Sequence, residues 1–183
     1  MNQGIAQFKR MMADFRSVGG ITVKAALATP LVIAAVGLGP PSSLPLATVA
    51  AVAEAIVLMT IFQFWRGFSR KRMNLRMTLL LVMLCVFGTA YWVGVERYTL
   101  VSPKKERIVF GYEVRGDVSP LLSSNYTVIK ALSQAQYRST EVWTRESVSN
   151  IRCVLEFLWL ASFVALASFI GAFVLTNRMP TSQ

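Results

Sequence analysis

Glu54 is the residue whose type and setting raise a chemical question first. It stands near the middle of an apolar run, Leu44–Trp65. An ionised carboxylate at the centre of a bilayer costs several kcal/mol, roughly 2.5 kcal/mol and upward. Such a group must be protonated, paired, or turned toward water. One reading is a pore-lining or gating acid, alone or in a ring of acids supplied by several copies. The other is a neutral carboxyl hydrogen-bonded to a threonine such as Thr29, Thr48 or Thr89. On either reading Glu54 avoids lipid and marks an intramembrane gate or helix interface.

The second constellation is basic. Arg66, Arg70, Lys71, Arg72 and Arg76 fall within eleven residues that contain no acid. Cations beside a membrane span hold that end in the cytoplasm and meet anionic headgroups at about 1 kcal/mol each. The same five residues could instead dock an acidic cytosolic partner or an oligonucleotide. A third set, Tyr112, Trp143 and Arg145, supplies the amphipathic and charged side chains expected of an extramembrane contact surface.

Enzyme chemistry has no footing here. The chain has no histidine, which removes the commonest general base and metal ligand. Cys85 and Cys153 form no CxxC pair, so neither a metal site nor a disulfide framework is indicated. No nucleophile–base set, P-loop or glycine-rich nucleotide motif is present, and no cofactor is expected. Arg115-Gly116-Asp117 reads as a turn, and Asn125-Tyr126-Thr127 matches a glycosylation sequon of a kind frequent by chance.

The elements that must position these residues follow from composition. Of 183 residues, 54% are hydrophobic and 15% charged. Soluble domains hold roughly 45–50% apolar and 25% charged residues. A chain this size cannot hide the excess in one water-soluble core, so a bilayer is the second solvent. About 20 apolar residues cross its ~30 Å core, and four runs qualify: 21–39, 44–65, 77–95 and 154–176. Lys24 can snorkel from the first. Pro30 is tolerated there, and the run begins too far from Met1 for a signal peptide. Phe62, Phe64 and Trp65 close the second run as an interfacial belt, and Tyr91 and Trp92 lie near the end of the third. Ile5, Phe8, Met12 and Phe15 make one stripe of a basic amphipathic helix over 1–20; the alternative is a frayed terminus. Rows of small residues, Ala47/Ala51/Ala55, Ala161/Ala165 and Ala167/Gly171, allow close helix approach.

The fold class expected is therefore an all-α membrane protein, four transmembrane helices with a small α+β extramembrane insert between helices 3 and 4. The basic 66–76 loop sets both termini in the cytoplasm, with the 177–183 tail, and places residues 96–153 outside. Nine basic residues in that insert are interspersed with six acids. An alternative, one span plus a re-entrant piece from the first two runs, moves the insert to the cytoplasm. Within it Arg107–Val114 alternates like a strand, Ser119-Pro120 opens a helix, Tyr126–Gln136 has helical spacing, and Thr144 caps a helix running into the last span. Under 60 residues make too little core for independence, so the insert should lean on membrane, helix or neighbour.

At Arg107–Val114 (RIVFGYEV) and Glu141–Val148 (EVWTRESV), followed by an apolar helix, the chain resembles small four-span membrane proteins of bacterial antiphage defence systems. In plan it is similar to the membrane subunit of the Kiwa system and to membrane effectors encoded beside nucleotidyltransferases. The resemblance implies a homo-oligomer in the bacterial inner membrane, sensing envelope disturbance and anchoring or regulating a soluble cytosolic effector. It also allows a gated pore that depolarises the cell, with Glu54 near the conduction path. A membrane immunity protein against a toxin is a further alternative. No functional residue carries over from the resemblance, and a nucleic-acid or nucleotide ligand has no direct support in the residues.

Overall fold

Three helices long and apolar enough to cross a membrane organise the described part of the computed structural model. The described residues are 28–30, 32–33, 46–65, 67–102, 107–118 and 128–178. In chain order the named elements are α1 (Leu46–Phe64), α2 (Arg70–Tyr98), β1 (Thr99–Val101), β2 (Arg107–Val109), α3 (Val128–Gln134), α4 (Ser139–Val142) and α5 (Arg145–Arg178). Residues 28–30 and 32–33 are also helical. The expected N-terminal amphipathic helix lies outside the described residues, as does most of the expected span 21–39, so the described residues carry three candidate spans and not four.

Lipid leaves a backbone no water to bond, so a spanning segment closes its hydrogen bonds internally. The spans extend this economy to side chains. Thr60 donates to the Ile56 carbonyl at 2.9 Å, Thr78 to Asn74 at 3.1 Å, Ser168 to Val164 at 2.7 Å and Thr176 to Ala172 at 2.9 Å. Each hydroxyl bonds one turn back along its own helix and needs no partner elsewhere. At 1.5 Å per residue, the 29 residues of α2 and the 34 of α5 extend about 44 and 51 Å. Both exceed the ~30 Å hydrocarbon thickness, so each carries polar turns past its apolar stretch. None of the apolar stretch of α2 is buried, against half of that of α5.

The chain divides into two compact units, 1–39, 45–87 and 160–183 in the first, 40–44 and 88–159 in the second. In the first unit the core gathers Leu58, Ile61 and Phe62 of α1, Met73 of α2, and Ala167, Ala172 and Leu175 of α5. Gly171 is the close-approach point: a Cβ there would meet Leu58 Cδ2 at 3.1 Å and Ile61 Cγ2 at 3.3 Å. Lipid offers helices no hydrophobic drive to associate, so small residues that admit large ones supply the packing. Thr176 Oγ1 also reaches Met77 Sδ at 3.4 Å.

In the second unit α2 passes into β1 without a linker, and β1 pairs antiparallel with β2 through Thr99–Val109, Leu100–Ile108 and Val101–Arg107. Arg115 and Val118 close a turn, and Val114 bridges Trp143. The core of this unit is Leu132, Val142, Trp143 and Val148, walled by Leu100, Phe110, Val114, Val118, Ala135 and Tyr137. Tyr98, Phe110 and Trp143 form a chain of rings with centroids 6.2 and 5.4 Å apart. The Arg107 side chain hydrogen-bonds Tyr91, tying β2 to α2. Leu155 of α5 fits against Gly94 of α2, where a Cβ would approach within 2.8 Å. Thr144 caps α5, accepting from the Ser147 N–H at 3.4 Å, and the helix then runs unbroken to Arg178.

Two features depart from the sequence pattern. The strand expected over 107–114 ends at Val109, because Gly111 turns the chain tightly against α5. A Cβ at Gly111 would overlap Ser147 Oγ and stand 3.1 Å from Trp143 Cβ. The basic segment expected as a loop is helical from Arg70, so four of its five cations ride on the first two turns of α2.

Candidate functional site

The buried face of α1 is set by steps of four and then three residues. Ala50, Glu54, Leu58 and Ile61 are 0, 0, 2 and 3% exposed, while Val49, Val52, Ile56 and Met59 on the other face are each about half exposed. The small-residue row legible in the sequence, Ala47/Ala51/Ala55, is only half-buried. The interior stripe is thus rotated by one residue and has Glu54 within it. One turn C-terminal to Glu54 is Leu58, which faces Gly171; one turn before Gly171 on α5 is Ala167, fully buried.

Both Glu54 carboxyl oxygens are buried without a hydrogen-bond partner. The expected bond to Thr29, Thr48 or Thr89 is not formed, and Thr48 and Thr89 are exposed. This sets Glu54 apart from Thr60, Thr78, Ser168 and Thr176, whose hydroxyls each bond a carbonyl of their own helix. A buried polar group left unbonded costs roughly 1–3 kcal/mol, so the packing around Glu54 works against stability at this point. The carboxyl is closed off by its own chain. A ring of acids around a shared pore would require this packing to open first. No His/Cys/Asp/Glu group suited to a metal ion occurs among the described residues.

The basic residues separate into two kinds. Arg76 is half-buried, with its guanidinium 4.0 Å above the Phe68 ring and 4.6 Å above Trp65. Those rings meet edge-on at 6.3 Å. The α1–α2 turn beneath is fixed by Trp65 N–H to Ile61 O at 2.9 Å, Phe68 N–H to Trp65 O at 3.2 Å, and fully buried Met73. Arg76 is therefore committed to a cation–π clamp. Arg70, Lys71 and Arg72 are exposed, and Arg66 lies outside the described residues.

The extramembrane trio also divides. Tyr112 is 61% exposed, with Asn150 Nδ2 donating to its hydroxyl at 3.5 Å. Trp143, expected on the contact surface, is 4% exposed and is a core residue, packed on Phe110 and bridged to Val114. Arg145 is exposed and lines an open depression of about 480 Å³ with Arg115, Thr140 and Thr144. Of these two cations Arg115 is paired with an acid. Asp117 holds Arg115 through two bonds of 3.1 and 3.0 Å, and Glu113 accepts from Thr144 Oγ1 at 3.2 Å.

Sequence reasoning missed the Arg76 clamp and the Gly111–Ser147 contact. Two aromatic residues eight and eleven positions before an arginine, across a helix break, are a usable signal for the first. A glycine inside an otherwise β-rich run is one for the second. Comparison with protein-family models, with curated proteins and with solved structures gives no match to this chain.

Proposed function

We propose that this chain is a non-enzymatic, homo-oligomeric component of the bacterial inner membrane, with both termini in the cytoplasm. In this reading it senses envelope disturbance and holds or releases a soluble cytosolic effector of an antiphage system, as the resemblance implies. The observation that carries a switching role is Glu54. A wholly buried, unbonded carboxyl in mid-span is a liability for a passive anchor. It suits a protein whose packing must loosen when it acts, because a state that offers the carboxyl water or a donor gains what the resting state forgoes. Gating of a pore by the same loosening is the second reading, favoured by the mid-span position of the acid.

Phage challenge of cells expressing the chain with its gene neighbours, as wild type, Glu54→Gln and Glu54→Leu at equal membrane levels, tests the proposal. Protection by wild type and its loss in Glu54→Leu is the expected result. No protection by wild type removes the defence role, and equal protection by all three removes the switch. A membrane-potential dye in the same cultures separates the readings. Infection-triggered depolarisation selects the pore, and an unchanged potential with protection selects the anchor.

A further inference from the structure

We propose that Arg70, Lys71 and Arg72 form a docking surface for the headgroups of anionic phospholipids, set at the membrane boundary by the Trp65–Arg76–Phe68 clamp. The proposal rests on the membrane reading of α1 and α2 and is independent of the role of Glu54. Charge complementarity carries it first. The sequence contains no Asp or Glu between Glu54 and Glu96. Among the described residues none of the three cations has an acidic partner, and α2 has no acid in its first turn. Nor does the helix relieve them. Its first turn carries the positive end of the helix dipole, where cations are disfavoured. These exposed charges are therefore available to an anion from outside the chain.

Continuity with the lipid-facing surface identifies that anion. The patch begins one short turn after α1 ends, beside Phe64, 65% exposed, and it leads into the unburied apolar stretch of α2 through Leu75 and Leu79, 64 and 56% exposed. Trp65, half-buried, is the aromatic type that settles at the headgroup level, and Phe68 packs edge-on against it. Arg76 spends its charge on their ring faces. The three residues beyond it are left at the depth where phosphates lie, so that they act together on lipid while Arg76 fixes the turn.

Native mass spectrometry of the full-length protein in detergent, titrated with phosphatidylglycerol or phosphatidylcholine of equal chain length, measures this directly. Wild type should retain phosphatidylglycerol preferentially, and the preference should fall as ionic strength rises. Replacing Arg70, Lys71 and Arg72 by Gln should lower it about fivefold per residue, whereas Arg115→Gln, at a cation already paired with Asp117, should leave it in place. Inorganic phosphate at the same concentration should not displace the lipid. Equal retention of the two lipids by wild type, or a preference insensitive to salt, would overturn the proposal even if the triple variant failed to fold. Displacement of phosphatidylglycerol by a short oligonucleotide would reassign the surface to nucleic acid. A chain that stays dispersed without detergent would instead remove the membrane reading beneath it.

Discussion

Glu54 and Gly111 mark two opposite ways in which a single residue constrains this chain. Glu54 sits where packing is dense and hydrogen bonding is missing. Exchange for an apolar residue of similar size removes the unbonded oxygens, so Glu54→Leu should be more stable than wild type by about 1–3 kcal/mol. Tryptophan fluorescence on heating in detergent should show a midpoint several degrees higher; a lower midpoint would mean that the carboxyl has a stabilising partner. Gain of stability with loss of protection is the pattern expected of a functional acid kept at a cost to the fold. Gly111 is the reverse case, a position where any side chain is excluded by Ser147 and Trp143. Gly111→Ala should destabilise the second unit by about 1–3 kcal/mol through overpacking. Ser147→Ala in the same chain deletes the overlapping oxygen and should restore part of that loss. Amide exchange over 139–150 reads both, and an exchange rate unmoved by Gly111→Ala would exclude the tight turn.

At the scale of elements, the α1–α2 hairpin owes its geometry to a cation that charge counting assigns to the solvent. The Arg76 guanidinium over two rings contributes about 0.5–2 kcal/mol. A double-mutant cycle with Arg76→Gln and Phe68→Leu should therefore show a coupling of that size in thermal unfolding, and additive effects would dissolve the clamp. Helix α5 shows how the cap and the core cooperate. Thr144 ends the extended segment, Ser147 Oγ donates to the Thr144 carbonyl at 3.0 Å, and Val148 enters the core beside Trp143. The helix begun by this cap has the bounds Arg145–Arg178.

The whole molecule is divided by the two solvents it must satisfy. Apolar residues of α2 that would be errors in water, Leu79, Val82, Met83 and Val86 among them, are more than half exposed and belong in lipid. If α2 crosses the bilayer once, its two ends lie on opposite sides. In a chain with Cys85→Ala and Cys153→Ala, Ser69→Cys should be reached by an impermeant thiol reagent only after the cells are opened. Gly116→Cys, where a side chain meets nothing within 4 Å, should be labelled in intact cells. Labelling of both from one side would remove α2 as a span, and the reverse pattern would invert the orientation that the basic cluster implies.

The sequence by itself pointed to lipid as the second solvent, to the helical class and to the three apolar stretches that the described helices carry, since length and hydropathy are local quantities that no tertiary contact has to supply. It also made Glu54 conspicuous, because a charge in an apolar run is visible without a fold. Only the tertiary structure decided which face of α1 is interior, that Glu54 has no partner, that Arg76 is bound to rings while Arg70 and Lys71 are free for solvent or lipid, and that Trp143 is core. In a helix that is apolar all round, periodicity offers no direction. Direction then comes from where a small residue on another helix, here Gly171, lets a neighbour approach. A tryptophan likewise has the same chemistry on a surface and in a core, and the bridge to Val114 and the ring of Phe110 choose between them.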